Sequence, residues 1–449
     1  MNKLEENIID FNHFDEKNLD YFRKIYNSNL INFNNLIDKI SDLRNVTPEW
    51  CTQTIISRNN YISNIYFDYC KLEVLKKSLN KKNLNHIFVN NNLQKKIIFE
   101  NFNINYKIKF SFKNKKSESN FFKRLKNFLF NIKFSLVLFA NKSHKRKKNF
   151  LDKEKIILIE NFLYKDKFIK ESYQDRFYGK LLNYLDLNQK KKIFFLFNIQ
   201  NFLKTRKNLE VLEKYKINFI TIFDFLKFTD YLKALVKSQM FFFSFSKKIN
   251  FNKFELTELF KDLFSSTNND VNCFHGILQF LFFERLNKEI KNKKILKVID
   301  WYENQSLDKG FNLGLNTFFP YVEKLGYQPF AVDFNFYSHL IPTKKEIAND
   351  LTPNKIAFMG KETKKYLIKK FKLNRSNFIL SPSLRYEALF KKFEKRRNKN
   401  IKNVLVGLPI SYQDSNDILK IVKKFFEKYQ KKNLKFFVNY HPMLNFKKL

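Results

Sequence analysis

A carboxylate and an amide stand just after a hydrophobic run in the second half of the chain. The run at 293–303 (KKILKVIDWYE) is apolar and bounded by charge, so it predicts a buried strand, with a helix beginning near Ser306. Glu303 and Asn304 then lie at the carboxyl end of a strand, where open α/β sheets bind their ligands. A carboxylate in that position can accept a proton from an attacking hydroxyl group. A lone Glu in such a loop can also cap the helix or pair with a cation, so two interpretations stand at this point.

Four further residues could hold an anion. Gly360 and Lys361 follow a short predicted strand and open a predicted helix, whose first backbone N–H groups can cradle a phosphate. Arg385 offers a planar fork of donors that matches a phosphate or a carboxylate. His441 ends a predicted strand, where a protonated imidazole can donate to a phosphate oxygen. The structural alternatives are an ordinary strand-to-helix turn, an ion pair and a structural histidine.

Metal and nucleophile chemistry have no support in the sequence. The cysteines Cys51, Cys70 and Cys273 lack metal-ligand spacing, and His275 near Cys273 has no further ligands at a workable spacing. No Walker loop, no G-x-G-x-x-G and no G-x-S-x-G occurs. We therefore expect no metal site and no bound cofactor. Three cysteines also imply no disulfide framework, so a reducing compartment fits best.

Alternating strands and helices must position these residues. From residue 86 onward, short apolar runs bounded by charge alternate with helical segments, a pattern typical of a buried parallel sheet. Residues 1 to about 80 instead carry apolar residues at three- and four-residue spacing, which predicts helices. The candidate strands lie at 86–90, 154–162, 191–199, 217–223, 293–303, 325–334, 354–360, 376–382, 402–409 and 434–442.

The distribution of glycine and proline suggests where the domains meet. Both residues are rare before residue 270 and recur regularly after residue 300. The segment between Pro342 and Pro353 is the best candidate for a linker. We therefore predict an α/β protein of two Rossmann-like β/α domains with a helical N-terminal addition. The predicted regions are 1–80 (helical), 81–342 (first Rossmann-like domain) and 354–449 (second Rossmann-like domain).

The composition excludes a wholly disordered chain and predicts attraction to anionic partners. Hydrophobic residues make up 44% of the 449 residues, with 56 Phe and 21 Tyr, so a sizeable core can form. Lys and Arg number 85 against 43 Asp and Glu, a formal net charge of +42. The simplest interpretation is a composition in which Lys, Asn, Ile and Phe are inflated together. Whatever its origin, this charge attracts phosphates and anionic membrane surfaces.

A basic, Phe-rich segment at 107–148 carries 14 Lys and Arg and one acidic residue, Glu118. Three interpretations stand: an amphipathic element on an anionic membrane, a surface that stacks on single-stranded nucleic acid, or a core helix followed by a solvated basic loop. No segment reaches the ~20 apolar residues of a membrane-spanning helix. The N-terminal residues are acidic and polar rather than a secretory signal, so we expect a cytoplasmic protein.

Several segments resemble one family of enzymes in the same order along the chain. Residues 303–310 (ENQSLDKG) resemble the E-x-Q-P-W-E-K-A signature of bacterial surface-carbohydrate glycosyltransferases, GT-B enzymes of O-antigen and capsule assembly. The resemblance is firm over about residues 270–449. The further matching segments are 326–328 (GYQ), 356–360 (IAFMG), 383–386 (SLRY), 404–409 (VLVGLP) and 441–442 (HP).

The resemblance implies a metal-independent glycosyltransferase that moves a sugar from a nucleotide-sugar donor to an O-antigen, lipopolysaccharide or capsule precursor. Region 81–342 would bind the acceptor and region 354–449 the nucleotide sugar, with 107–148 holding the protein at the inner membrane beside its lipid-linked acceptor. Glu303 would be the catalytic base. The remaining implied residues are Gly360, Lys361, Arg385 and His441 for the donor phosphates, and Asn304, Gln305, Asp308, Lys309 and Gln328 in supporting positions.

Departures from the family pattern keep a second hypothesis open. Ser306 and Leu307 replace the Pro-Trp of the signature, Asn439 replaces the Lys of a K-x-H-P motif, and the chain ends seven residues after Pro442. These differences favour a truncated, non-catalytic paralogue that acts as an interaction protein of the same pathway. Nucleic-acid binding is a third hypothesis, but no RNP, KH or helix-turn-helix signature supports it, so we do not expect nucleic acid as the partner.

Overall fold

The chain divides into two units, Met1–Glu387 and Ala388–Leu449. The structure, a computed structural model, describes most of both units. The described residues are 8–42, 46–60, 62–79, 86–103, 108–112, 120–163, 168–169, 172–173, 175, 177–199, 205–239, 248–267, 270–290, 294–328, 338–390, 403–409, 412–428 and 434–440.

Strands and helices alternate along the described residues. The strands are β1 (Ile8–Asp10), β2 (His86–Val89), β3 (Lys109–Phe112), β4 (Ile156–Leu163), β5 (Phe168–Ile169), β6 (Ser172–Tyr173), β7 (Ile193–Ile199), β8 (Phe219–Ile220), β9 (Asn250–Phe251), β10 (Phe254–Glu255), β11 (Ile295–Trp301), β12 (Glu323–Gln328), β13 (Lys355–Met359), β14 (Phe378–Ser381), β15 (Asn403–Gly407) and β16 (Lys435–Asn439). The helices are α1 (Glu16–Asp42), α2 (Pro48–Cys51), α3 (Thr54–Ser57), α4 (Ile65–Leu79), α5 (Asn92–Asn101), α6 (Asn120–Ala140), α7 (His144–Leu151), α8 (Leu187–Lys192), α9 (Thr205–Lys214), α10 (Phe228–Gln239), α11 (Thr257–Thr267), α12 (Val271–Glu289), α13 (Ser306–Phe318), α14 (Lys344–Ala348), α15 (Lys361–Phe371) and α16 (Tyr412–Lys428). Short 3-10 helices lie at Leu181–Tyr184, Ile222–Asp224, Ser338–Leu340, Arg375–Asn377 and Leu384–Phe390.

Seven of the described strands form one sheet in the order β14-β13-β12-β11-β4-β7-β8. Every neighbouring pair in this sheet is parallel. The chain runs from β4 outward through β7 to β8, then returns to the other side of β4 and continues from β11 to β14. The winding direction therefore reverses between β4 and β11, which makes that pair the topological switch point of the sheet. The predicted α/β class is confirmed, and the arrangement is compatible with a Rossmann-like fold.

Buried apolar strands explain why this sheet forms. All seven residues of β7 are buried, and β4 has six buried residues out of eight. Strands covered by helices on both faces consist of continuous apolar runs, and the runs at 154–162 and 191–199 have this character. The main hydrophobic core joins these strands to residues of α6, α10, α12 and α13.

The N-terminal region has a second core and a small sheet of its own. The helices predicted for residues 1–80 are present as α1 to α4, but β1 precedes them and pairs in parallel with β2, which pairs with β3. Apolar residues of α1, α4, α5 and α11 pack around this sheet. A three-residue strand is too short to show a period in the sequence, and therefore β1 was not predicted.

The predicted linker at 342–353 differs from the structure. It contains α14, whose Glu346 is buried, and β13 and β14 continue the main sheet beyond it beside β12. Ile356, Ala357 and Phe358 of β13 are buried because this strand lies between β12 and β14. The two prolines thus flank a packed connection within the first unit, and the division between the units falls after Glu387.

The second unit contains a strand, a helix and a parallel strand. In it, β15 pairs with β16 over five residue pairs, from Asn403 with Lys435 to Gly407 with Asn439. Val406 and Leu408 are buried against α16 and β16 in a small core. A βαβ element of this kind is the building unit of parallel α/β domains.

The basic segment at 107–148 is described over 108–112 and 120–148. Its larger part is helix α6, and α7 follows where one of the three interpretations placed a solvated basic loop. Arg146 of α7 is buried, and its Nη2 donates to Asp224 Oδ1 at 2.9 Å. Among the described helices, α6 included, none combines the length and the hydropathy that a bilayer crossing requires.

Candidate active site

Two central strands of the sheet separate at the switch point. Pairing between β4 and β11 ends at Ile159 and Ile299, although β4 stays paired with β7 as far as Leu163. The next residues, Glu160 and Asp300, therefore face the place where the two strands diverge. Crevices of this kind, at the carboxyl ends of parallel strands, are where α/β sheets bind ligands.

Glu303 lies directly after β11 at this edge. The Trp301 Nε1–H donates to Glu303 Oε1 at 2.8 Å, which fixes the carboxylate. Burial raises the pKa of Glu303, and the Trp301 hydrogen bond and the positive charge of Arg385 partly offset that rise. The structure thus brings Glu303 and Arg385 within electrostatic reach of each other. Arg385 itself is half-buried in the 3-10 helix that follows β14.

The loop around Glu303 is held by its neighbours. Asn304 adopts the left-handed conformation with φ 55°, which Asn tolerates better than most residues. Its Nδ2 donates to the His339 carbonyl oxygen at 2.9 Å, and its Oδ1 accepts from Lys309 Nζ at 2.8 Å. Gln305 accepts at Oε1 from Asn59 Nδ2 at 3.1 Å. Asn304 and Gln305 therefore position the loop.

Asp308 caps the start of α13. Its Oδ2 accepts the backbone N–H of Gln305 at 2.8 Å and that of Glu303 at 3.0 Å. Burial and the charge of nearby Asp300 raise the pKa of Asp308 well above its usual range. Because the carboxyl satisfies backbone donors at a helix start, its role here is structural.

Lys309, which the resemblance implied as a supporting residue, belongs to a buried ionic network. Lys309 Nζ donates to Glu346 Oε1 at 2.6 Å, and Arg58 Nη2 donates to Glu346 Oε2 at 2.7 Å. Burial alone would raise the pKa of Glu346, but the charges of Arg58 and Lys309 outweigh it and lower that pKa to about 2. Burial lowers the pKa of Lys309. The network ties α3 and α14 to the start of α13.

Two buried acids at the switch point were missed by the sequence reasoning. Glu160 Oε2 accepts the backbone N–H of Trp301 at 3.0 Å, and Asp300 Oδ2 accepts from Asn312 Nδ2 at 2.7 Å. Burial raises the pKa of Asp300 to about 7 and that of Glu160 well above its usual range, with the neighbouring Asp300 charge adding to the second shift. A single acidic residue inside an otherwise apolar run was the available signal. Of the four carboxyl residues described at this edge, Glu303 keeps the most solvent exposure.

Two further predicted residues lie at the ends of neighbouring strands. Gln328 ends β12, the strand next to β11, and Gly360 follows β13, the strand after that. Gln328 is fully buried and donates through Nε2 to the Leu340 carbonyl oxygen at 3.1 Å. Gly360 has φ 87°, a conformation that favours glycine, between β13 and the N-terminus of α15. Lys361 is exposed beside it. The strand-to-helix turn is therefore as predicted, whereas His441 lies outside the described residues.

A small cavity of about 30 Å³ lies at the same edge of the sheet. His275 and Gln279 of α12 line it together with Asn198 of β7 and Leu307 of α13. Among the described residues, His275 Nε2 and Gln279 Oε1 have no hydrogen-bond partner. The cavity has room for a water molecule, which could satisfy both atoms. Burial lowers the pKa of His275 to about 4, so its imidazole is neutral at physiological pH.

The three cysteine thiols lie in the interior of the fold. Cys51, Cys70 and Cys273 are buried and free, and burial raises the pKa of Cys51 and of Cys273 to about 12. In the part of the chain that the structure describes, no three His, Cys, Asp or Glu side chains are grouped to hold a metal ion. The charged groups described at the switch point are the carboxyl groups of Glu160, Asp300, Glu303 and Asp308, and Arg385 lies within electrostatic reach of Glu303. Comparison of the chain with protein-family models, curated proteins and solved structures finds no match.

Proposed function

We propose that this protein transfers a sugar from a nucleotide-sugar donor to a surface-polysaccharide precursor, with Glu303 as the general base. The observation that carries the proposal is the carboxylate of Glu303 at the carboxyl end of β11, beside the topological switch point. It is partly exposed, held by Trp301 and within the field of Arg385. That combination supplies a proton acceptor and a cation at the edge of the sheet where ligands bind.

The chemistry of such a transfer fits this arrangement. A general base works best when its pKa lies near the operating pH, and burial moves the pKa of Glu303 upward in that direction. Arg385 can stabilise the negative charge of a departing nucleotide phosphate through charge-assisted hydrogen bonds. Gly360 and Lys361 are proposed as further phosphate contacts, and His441 remains a prediction for the same role.

The supporting residues acquire distinct roles in this proposal. Asn304 and Lys309 hold the loop that carries Glu303, Asp308 caps the helix after it, and Gln328 anchors the end of β12. They act as positioning residues. We also propose a GT-B architecture in which the second unit contributes the nucleotide-sugar domain; its βαβ element supports this proposal.

The proposed site makes a direct prediction for Glu303→Gln. The amide keeps the shape and can still accept from Trp301 Nε1–H, but it cannot take a proton. We expect donor binding to survive and turnover to fall by roughly 10²–10⁴-fold. Thermal-shift titration with a panel of nucleotide sugars measures binding, and release of the nucleotide measures turnover in the presence of membrane lipid extract as acceptor.

Glu323→Gln is the matched control, because Glu323 lies at the opposite end of the neighbouring strand β12 in an exposed pair with Lys297. This variant should behave as the wild type. Wild-type turnover by Glu303→Gln would remove Glu303 from the mechanism. If the wild-type protein binds no nucleotide sugar, the non-catalytic paralogue becomes the better hypothesis.

A further inference from the structure

We propose that helices α6 and α10 together form a docking surface for an anionic lipid bilayer. We call it the α6–α10 face and define it by nine apolar residues that point away from the core or to its margin. These residues are Phe122, Leu125, Leu129, Ile132, Leu136 and Phe139 of α6 and Phe228, Leu232 and Val236 of α10.

The α6 residues of this face are regularly spaced. They recur at alternating intervals of three and four residues from Phe122 to Phe139, which places them on one stripe of a helix. Leu129 and Leu136, in the middle of the stripe, are 56% and 54% exposed. A stripe this long and this apolar on a surface helix normally has a partner.

Another side of α6 already accounts for its packing in the fold. Phe134 and Leu138 are buried in the main core. The centroid of the Phe134 ring lies 4.4 Å from the centroid of the His275 ring in α12. Asn131 and Ser135 are buried on the same side. The exposed stripe is therefore a second apolar surface of the helix, additional to the one that the fold buries.

Helix α10 extends the stripe into a broader surface. The rings of Phe139 and Phe228 are in edge contact, with centroids 5.7 Å apart. Leu232 and Val236 follow Phe228 at four-residue intervals and are exposed as well, whereas Tyr231 and Leu235 of the same helix are buried. Two neighbouring helices thus present one apolar face.

The charged residues beside this face favour an anionic bilayer as its binding partner. Exposed lysines flank the face on both helices: Lys123 and Lys126 on α6, Lys233 on α10 and Lys227 just before α10. Helix α6 contains no acidic residue. Asp230 of α10 is buried against Arg285, whose Nη2 donates to it at 2.7 Å. Apolar residues flanked by lysines match the headgroups and acyl chains of an anionic bilayer. A second copy of the chain, itself carrying a net charge of +42, would be repelled.

Docking through this face would bring the candidate active site near the bilayer. The small cavity beside the switch point is lined both by Phe134 and Leu138 of α6 and by Leu307, which follows the Glu303 loop. Helix α6 therefore packs at the edge of the sheet that carries Glu303. The docking proposal does not depend on the glycosyltransferase proposal, because vesicle binding is measured without turnover.

Vesicle sedimentation tests the proposal with a double variant, Leu129→Gln plus Leu136→Gln. Vesicles of phosphatidylcholine with phosphatidylglycerol should bind the wild-type chain, and pure phosphatidylcholine vesicles should bind it weakly. Loss of two inserted apolar side chains should lower binding by roughly tenfold or more. Leu187→Gln is the matched control, because Leu187 is 73% exposed beside three lysines on α8 and lies outside the face.

Charge and folding have their own controls. Lys123→Gln plus Lys126→Gln should weaken binding only to the phosphatidylglycerol vesicles, and high salt should do the same to the wild type. Both double variants should retain the wild-type thermal unfolding midpoint because the altered side chains are exposed. The proposal is overturned if Leu129→Gln plus Leu136→Gln binds as the wild type does, or if phosphatidylcholine alone binds the chain equally well. It also fails if the wild type is a dimer that this double variant converts to a monomer.

Discussion

Five carboxyl groups around the start of α13 differ in chemical state because their surroundings differ. Glu346 is ionised between two cations, and Asp308 accepts two backbone N–H groups. Asp300 lies next to Glu160 where no cation is in hydrogen-bond contact with either among the described residues, so burial favours their protonated forms. Glu303 combines a raised pKa with partial exposure, which is what a proton acceptor needs.

The raised pKa of Asp300 predicts how stability depends on pH. The pKa of Asp300 in the folded chain is about 7, so this carboxyl keeps its proton up to that pH, whereas in the unfolded chain the proton is released near the ordinary pKa of 3.8. Between these values the folded state binds more protons, so the Asp300 contribution to stability falls as the pH rises. Asp300→Asn should remove this fall and gain a few kcal/mol relative to the wild type at pH 7.5.

Urea unfolding at a series of pH values from 4.5 to 7.5 checks this prediction. Asp20→Asn, at an exposed position on α1, should follow the wild-type curve. If the stability of Asp300→Asn changed with pH as steeply as that of the wild type, Asp300 would be ionised in the fold.

Glu346 affects stability in the opposite sense at lower pH. Its pKa is about 2 in the fold, so the stability that it contributes is lost as the pH falls below 4.5.

Individual residues also show where sequence reasoning reaches its limit. Glu303 and Asn304 were found because they follow an apolar run in the sequence, and a local pattern is enough for that, whereas Asp308 was implied only by the resemblance. Glu160 and Asp300 become neighbours only because β4 pairs with β11, a long-range contact that no local pattern contains. Lys309 was implied as a site residue, but its partner Glu346 lies within a segment that was expected to be a linker.

At the scale of elements, the strands were predictable and their grouping was not. Continuous apolar runs identified β4, β7, β11 and β13 because burial on both faces demands such residues. The assignment of β13 and β14 to a separate domain followed from two prolines, Pro342 and Pro353, which mark turns but do not show whether a turn ends a domain. The pairing of β12 with β13 decides the question.

The contact between α12 and α13 yields a steric prediction. A Cβ atom on Gly310 of α13 would lie 2.0 Å from the carbonyl oxygen of Gly276 in α12, a backbone atom that cannot rotate away. Gly310→Ala should therefore force the helices apart and destabilise the protein by about 3 kcal/mol.

Thermal unfolding measures the effect of Gly310→Ala. Gly407→Ala in β15 is the control, because no atom lies within 4 Å of the Cβ that it would add. This control should change stability by less than about 0.5 kcal/mol. Equal midpoints for the two variants would show that α12 and α13 can separate without cost.

For the whole molecule, the dominant quantity is the net charge of +42. Like charges on a folded chain repel each other, and salt screens that repulsion. Raising the NaCl concentration from about 0.05 to about 0.5 M should therefore raise the unfolding midpoint by a few degrees. Potassium chloride should raise the unfolding midpoint by the same amount, because screening depends on ionic strength. An unchanged or lowered midpoint would contradict the prediction.

The switch point also has a consequence for synthesis on the ribosome. Ile299 of β11 pairs with Ile159 of β4, so about 140 residues must be translated before the central pair of the sheet can close. Until then, one edge of the apolar strand β4 has no strand beside it, and such edges invite pairing with other chains. The nascent chain should need chaperone protection over this interval, and pausing of translation before β11 should raise aggregation in proportion to its duration.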